Sequence, residues 1–342
     1  MHAISKDHNA GAFVISLDFE LYWGVRDRLT VDDYRHNLLG VRSVVPRLLD
    51  LFGSYQIHAT WATVGFLFFD SREALLDGCP RQQPQYLNPK LSPYPHLEQI
   101  GSNEEQDPFH FAPSVIKQIA SSPGQEIATH TLSHYYCLEE GQNAGQFRED
   151  LKAAIRVAES AGVAFRSIVF PRNQLNLTYL QICRDFGLIA YRGNPRSWMY
   201  QAKSLEAPIK RATRLLDTYM PLSGHNGYAA SRGSSSMIDL PASRFLRPYT
   251  RRFPSASRLQ VRRILFDLSY AAENNLVYHL WWHPHNFGVD ISQNLDMLAA
   301  ILDHFSQLRV DYAMESLTMF ELSERTLTGG TLAYQQSSHA CG

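Results

Sequence analysis

The sequence predicts an α/β chain whose parallel strands curl into a distorted barrel of the (β/α)7 type. Three observations carry the prediction. Short apolar runs of strand length alternate with segments of helical periodicity, the pattern of parallel strands joined by crossover helices. The first run is apolar throughout, as a strand buried on both faces requires. No GxGxxG fingerprint follows it, which argues against an open dinucleotide-binding sheet.

The first run, Phe13–Leu17, leads into Asp18 and Glu20. Asp32 and Asp33 are N-cap candidates for a helix reaching about Phe52. His58–Thr63 reads as the second strand, with an apolar helix after Gly65 to about Asp77. Pro80, Pro84, Pro89, Pro93, Pro95 and Pro108 exclude regular structure from most of residues 79–112. A loop this long inside a compact domain is usually functional or mobile, and it reads as an insertion that shapes the substrate pocket. A helix over Ala112–Ser121 precedes a strand that ends in His130. Residues 143–161 form an amphipathic helix, with Phe147, Leu151, Ile155 and Ala158 at helical spacing. Ser167–Phe170 is a strand ending at Pro171 and Arg172, followed by a helix to about Gly187 and a short strand, Leu188–Tyr191. Residues 196–256 read as a second insertion, in which Pro248 and Pro254 argue against one continuous helix. Leu276–Trp282 is a β-prone run ending at His283, Pro284 and His285. A helix from Ile291 to about Leu308 and a strand at Asp311–Ala313 complete one catalytic domain, residues 1–326. Residues 327–342, rich in Gly, Ser and Gln, read as a flexible tail.

Composition narrows the function. A chain of 342 residues with 44% hydrophobic and 19% charged residues buries a core without disulfides or a structural metal. Its four cysteines are far apart and form no CxxC pair, which excludes a zinc ribbon and a thioredoxin-type site. With no apolar leader and no 18-residue apolar run, the expected location is the cytoplasm. The net charge of −1 excludes polyanion binding by bulk charge. Residues 196–263 nevertheless hold thirteen Lys/Arg against three Asp/Glu. One reading of this basic segment is a solvated surface with helix-end arginines. The other is an anionic partner, a lipid-phosphate-linked or nucleotide-linked sugar carrier, with the protein peripheral at the inner membrane face. No nucleic-acid recognition motif occurs, and nucleic acid is not an expected partner.

In a parallel β/α fold, chemistry sits where the strands end. The polar residues there are Asp18 and Glu20, His130 and His134, Arg172, and His283 with His285. Two carboxylates, several histidines and an arginine on one rim are the composition of a metal hydrolase site. His130 and His134, four apart, face one side if they occupy a helical turn, and can then share a divalent ion. Asp18 and Glu20 share one side of an extended segment, so one can ligate metal while the other takes a proton from water. Cys137 and Ser133 lack the context of a nucleophile.

Five segments in order resemble the polysaccharide deacetylases of the NodB-homology type, carbohydrate esterase family 4. They are the strand ending in Asp18-Phe19-Glu20, the stretch Ala59–Gly65, the stretch Gly124–His134, Phe170-Pro171-Arg172, and Leu280–Pro284. The third matches the family's H-(S/T)-x-x-H metal motif. The family's adjacent acidic pair is replaced here by Asp18-x-Glu20. The resemblance implies the NodB-like deacetylase fold and one divalent ion, Zn2+ in the first instance, held by Glu20, His130 and His134. It implies Asp18 as base, Arg172 orienting Asp18, and His283 protonating the leaving amine. Trp23, Trp282 and His285 are candidate substrate contacts. The implied activity is metal-dependent removal of an N-acyl group from an amino sugar or glycan precursor in cell-surface polysaccharide metabolism. Two alternatives are an allantoinase-like cyclic amidohydrolase and a catalytically silent carbohydrate-binding scaffold.

Overall fold

The computed structural model describes residues 10–195, 217–219, 223–230 and 237–338. The sheet is parallel at every strand pairing. Its order is β6 (Ile238–Asp239), β5 (Ala190–Tyr191), β4 (Ser167–Ile168), β3 (Gln125–Thr129), β2 (Ala59–Thr63), β1 (Ala12–Phe19), β8 (Val277–Trp282) and β7 (Arg244–Phe245). A last strand, β9 (Glu315–Ser316), pairs with Ala12 and Phe13, on the edge of β1 that β2 joins only from Ile15 onward. The sheet curls as a half-barrel. The link from β6 to β7 bridges its open seam, where the Ala242 N–H donates to the Gly193 carbonyl (2.9 Å) and the Ser243 N–H to the His279 carbonyl (2.8 Å).

Side-chain alternation along β1 divides the core in two. Phe13, Ile15, Leu17 and Phe19 pack outward with Leu38, Val41, Val45 and Leu48 of α1 (Val31–Tyr55). Ala12 and Val14 belong to a smaller inner cluster with Ala62, Val169, Ala190, Ile238 and Leu240. That inner layer gives way to polar groups toward the strands' C-terminal ends, where Ser16, Asp18 and Glu20 follow on the same side. Around the sheet lie α2 (Arg72–Gly78), α3 (Pro113–Ala120), α4 (Ala144–Ser160), α5 (Leu180–Asp185), α6 (Pro254–Glu273), α7 (Ile291–Tyr312) and α8 (Met319–Ser338).

Several elements differ from expectation. Thr30, not Asp32 or Asp33, is the N-cap of α1; it forms a capping box with Asp33, which occupies the third helical position. The apolar stretch after Gly65 divides into a 3-10 turn, Gly65–Phe68, and α2, which starts at its own Ser71 cap. No continuous helix runs through Pro248 and Pro254, as expected; Pro254 is the first residue of the twenty-residue α6, where a proline has no N–H partner to lose. Asp311 and Tyr312 end α7, and the strand expected there is β9. Helix α8 continues past Leu327, so the tail boundary drawn from composition falls inside a helix. Within the second expected insertion, residues 196–216, 220–222 and 231–236 lie outside the described residues.

Residues 79–112 do not line the main cleft. They buttress it instead. Arg26 donates to the carbonyls of Lys90 (2.9 Å), Leu91 and Ser92, and Tyr86 Oη accepts from the Tyr136 N–H (2.9 Å).

Candidate metal and active site

Asp18 and Glu20 reach the barrel interior from β1 while Phe19 turns outward onto Trp61, whose ring centroid is 6.5 Å away. An acidic residue at position 19 would therefore face the helices. Both carboxylates line a cleft of about 870 Å³ at the C-terminal edge of the sheet, with His134, His283, His285, Phe245 and Trp281.

Asp18 is held by Arg192, the residue that follows β5. Nη1 donates to Oδ1 at 2.6 Å and Nη2 to Oδ2 at 2.7 Å, a two-pronged pair buried from water. Arg192 also donates to Ser16 Oγ and Asn173 Oδ1, both at 3.0 Å, and lies over the Trp281 ring at 4.2 Å. Burial alone would raise the Asp18 pKa, but the charge of Arg192, with His130 and His283, outweighs it and holds the carboxyl below its ordinary range. Asp18 is thus kept ionised.

Glu20 Oε2 lies 3.0 Å from His134 Nε2 and 3.4 Å from His130 Nε2. Donor atoms of these three buried residues all fall within 4.8 Å of one another. His130 Nδ1 lies 2.8 Å from the Val169 carbonyl, which can only accept, so the hydrogen is on Nδ1. In the neutral ring, Nε2 then presents a lone pair, and this buried atom has no hydrogen-bond partner. Burial pushes the His134 pKa down to about 4, so that ring is neutral near pH 7. When His134 Nδ1 donates to Tyr136 Oη (3.2 Å), its Nε2 is likewise free to ligate. Burial works against the Glu20 charge, but His283, His130 and His134 bring its pKa well below normal. Two imidazole lone pairs aimed at one carboxylate fit a divalent cation.

The histidines do not converge by helical spacing. Residues 130–134 form an irregular turn in which Thr131 (φ 65°) and His134 (φ 58°) are left-handed. Such backbone is held only by surrounding contacts. Asp150 of α4 supplies them, accepting from the Leu132 N–H at 2.8 Å and from Ser133 Oγ. Glu20 depends on a glycine: a Cβ at Gly24 would lie 1.9 Å from its carboxyl carbon. Gly24→Ala is expected to displace the carboxylate and weaken zinc binding at least about tenfold, the scale of a disturbed ligand support, in a zinc titration of the folded variant. Unchanged affinity would show that Glu20 does not ligate.

The structure brings Asp18, Glu20, His130, His134 and His283 together. His283 Nε2 is 3.5 Å from Glu20 Oε1 and 3.8 Å from Asp18 Oδ2. His285 lies behind it in the cleft wall, ring stacked on His283 at 5.0 Å; burial, helped by His283, lowers its pKa to about 3. Three expectations need correction. Arg172 does not orient Asp18. It pairs with Asp27 and lies 4.3 Å from the Tyr136 ring centroid, and Tyr136 Oη reaches His134, so Arg172 stands behind His134 rather than Asp18. Trp23 is buried outside the cleft, its Nε1 donating to the His110 carbonyl at 2.9 Å. Trp282 faces outward, between Phe52 and Phe287, because alternation along β8 turns Trp281 inward instead.

Sequence reasoning missed Arg192 and Trp281. Arg192 follows a strand directly, so the strand-end rule that selected Arg172 also applied to it. Asp150 had no local signal, being an acidic residue on an amphipathic helix.

Residues 28–191 match the family described as polysaccharide deacetylase. That stretch includes His130, His134 and Arg172; Asp18, Glu20, Arg192 and His283 lie outside it. No curated protein matches the chain significantly. Among solved structures, the chain is similar to a candidate polysaccharide deacetylase from Mycobacterium smegmatis. The identity is 16%, coverage is 96% of this chain and 94% of that one, and the TM-score is 0.59. A GH57-type branching enzyme from Pyrococcus horikoshii shares 9% identity over 90% of this chain and 69% of that one, with a TM-score of 0.52. Puue allantoinase shares 12% over 93% and 90%, with a TM-score of 0.51. At these identities the structural likenesses are of fold. The family match to polysaccharide deacetylase thus rests on residues 28–191, just under half of the chain, and the solved structures share the fold over nearly all of it.

Proposed function

We propose that the protein is a metal-dependent hydrolase that removes an N-acyl group, an N-acetyl group in the first instance, from an amino sugar or glycan precursor. The observation that carries this reading is one cleft floor holding both an Arg192-clamped Asp18 and the Glu20–His130–His134 ligand set, with His283 opposite. Zinc suits the two-imidazole, one-carboxylate set, and when bound it polarises an acyl carbonyl and lowers the pKa of water. Asp18 takes the proton of the attacking water, and Arg192 fixes both of its oxygens for that task. As the C–N bond breaks, His283 gives a proton to the amine nitrogen. A carboxylate and a free amino group leave. Trp281, Phe245 and Tyr34 offer rings to the apolar faces of a sugar, and Asn173, Gln174 and Asn286 offer partners to its hydroxyls.

Acetate release from N-acetylglucosamine oligomers tests the reading. Activity is expected in the zinc-loaded protein, lost on chelation and restored by zinc. Release unaffected by chelation would overturn the metal assignment. No release from any N-acyl amino sugar, with hydrolysis of allantoin, would replace the substrate class.

A further inference from the structure

Helix α6 packs one face on the core through Ile264, Leu268, Ala271 and Ala272. Its opposite face has an unusual composition. Leu259 is 48% exposed and Phe266 59%, with Tyr270 one turn further and Phe253, 57% exposed, at the helix start. These are four of the twelve large hydrophobic side chains exposed among the described residues, gathered within eighteen positions. Leu259, Arg262, Phe266 and Tyr270 are three or four apart, so they form one stripe. Arg258 and Arg262 are exposed between them, with no acidic partner among the described residues. Before its last residue, Glu273, the only acid on this helix is Asp267, which is buried against Arg244 and Arg263. Among the described residues, the outer face therefore combines positive charge without an acidic partner with apolar and aromatic groups. The His225 ring packs on Phe266 at 4.9 Å and on Tyr270 at 3.9 Å, yet both side chains stay exposed, and Leu259 points away from the core.

We propose that this face of α6 is a docking surface for an anionic phospholipid bilayer. Arginines suit the headgroup phosphates, while Leu259 and Phe266 suit the boundary of the acyl chains. A water-soluble polyanion would engage the arginines but would leave the exposed Leu259 and Phe266 wet. Attachment is to one surface, since no helix among the described residues is long and apolar enough to cross a membrane. The start of α6 lies near the cleft's rim: Phe245, nine residues before Pro254, lines the cleft, and Arg251 pairs with Asp290 at the start of α7. A docked α6 would bring that rim to the lipid surface. The proposal is independent of the reaction assigned to the cleft.

The full chain is sedimented with vesicles of phosphatidylcholine, with or without phosphatidylglycerol, at low and high salt. Binding is expected only with phosphatidylglycerol and is expected to weaken as salt rises. The double variant Arg258→Glu/Arg262→Glu should lower partitioning at least about tenfold, given the attraction of each basic residue to such a surface. Phe266→Ser should lower it while preserving the salt dependence. Melting temperature and bound zinc should match the parent protein in both. Should the double variant not fold, Phe266→Trp serves instead, with a blue shift of its emission on phosphatidylglycerol vesicles as the expected result. Equal binding to both vesicle types, undiminished binding by the folded double variant, or no blue shift would overturn the proposal. So would salt-sensitive binding to dextran sulfate without binding to vesicles, which would make the surface a polyanion site.

Discussion

His134→Ala is expected to abolish both metal retention and turnover. Elemental analysis should find about one zinc per chain in the parent protein, as a single three-ligand site implies, and essentially none in the variant. Turnover should fall by at least about 100-fold, more than the loss typical of an outer support residue. His134 is buried, and its removal leaves Glu20 facing His130 across a gap that water can fill. The variant should therefore fold, and a retained melting transition would separate loss of metal from loss of structure. Equal zinc in both proteins would remove His134 from the ligand set.

The second large effect concerns Asp18 and Arg192. Removing one partner of a buried ion pair strands the other charge in the interior, at a cost of about 3–5 kcal/mol. Arg192→Met is expected to destabilise the protein on that scale in denaturant titrations, since both side chains are almost fully buried. The double variant Asp18→Asn/Arg192→Met should regain part of that loss, because neither charge remains. Activity should not return with stability, because the base is gone. Regained activity in the double variant would show that Asp18 is not the base. The sign with pH follows from the direction of the shift. Asp18 titrates below its ordinary value of 3.8, so the pair stabilises fully above that pH and less as pH falls through the folded-state pKa. The double variant should consequently lose less stability in acid than the parent.

Helix α6 bears out one local rule: Pro248 lies outside any helix and Pro254 opens one, because a proline is tolerated in a helix where its missing N–H has no partner to lose. The strand-end rule reached further. It selected Asp18, Glu20, His130, His134 and His283, whose donor atoms meet in one cleft. It also selected Arg172, which the fold sends to Asp27 instead.

The sequence by itself determined the parallel α/β class and its alternation of strands and helices. It also determined the side of β1 that carries the carboxylates. These follow from periodicity, and periodicity is local. Only the tertiary structure decided that Arg192 rather than Arg172 clamps Asp18, and that Trp281 rather than Trp282 faces the cleft. It alone placed Asp150 behind the His130–His134 turn. Those choices depend on which strands are neighbours and on the direction in which each side chain leaves its strand. Arg192 and Asp18 are 174 positions apart, and no spacing rule spans that separation.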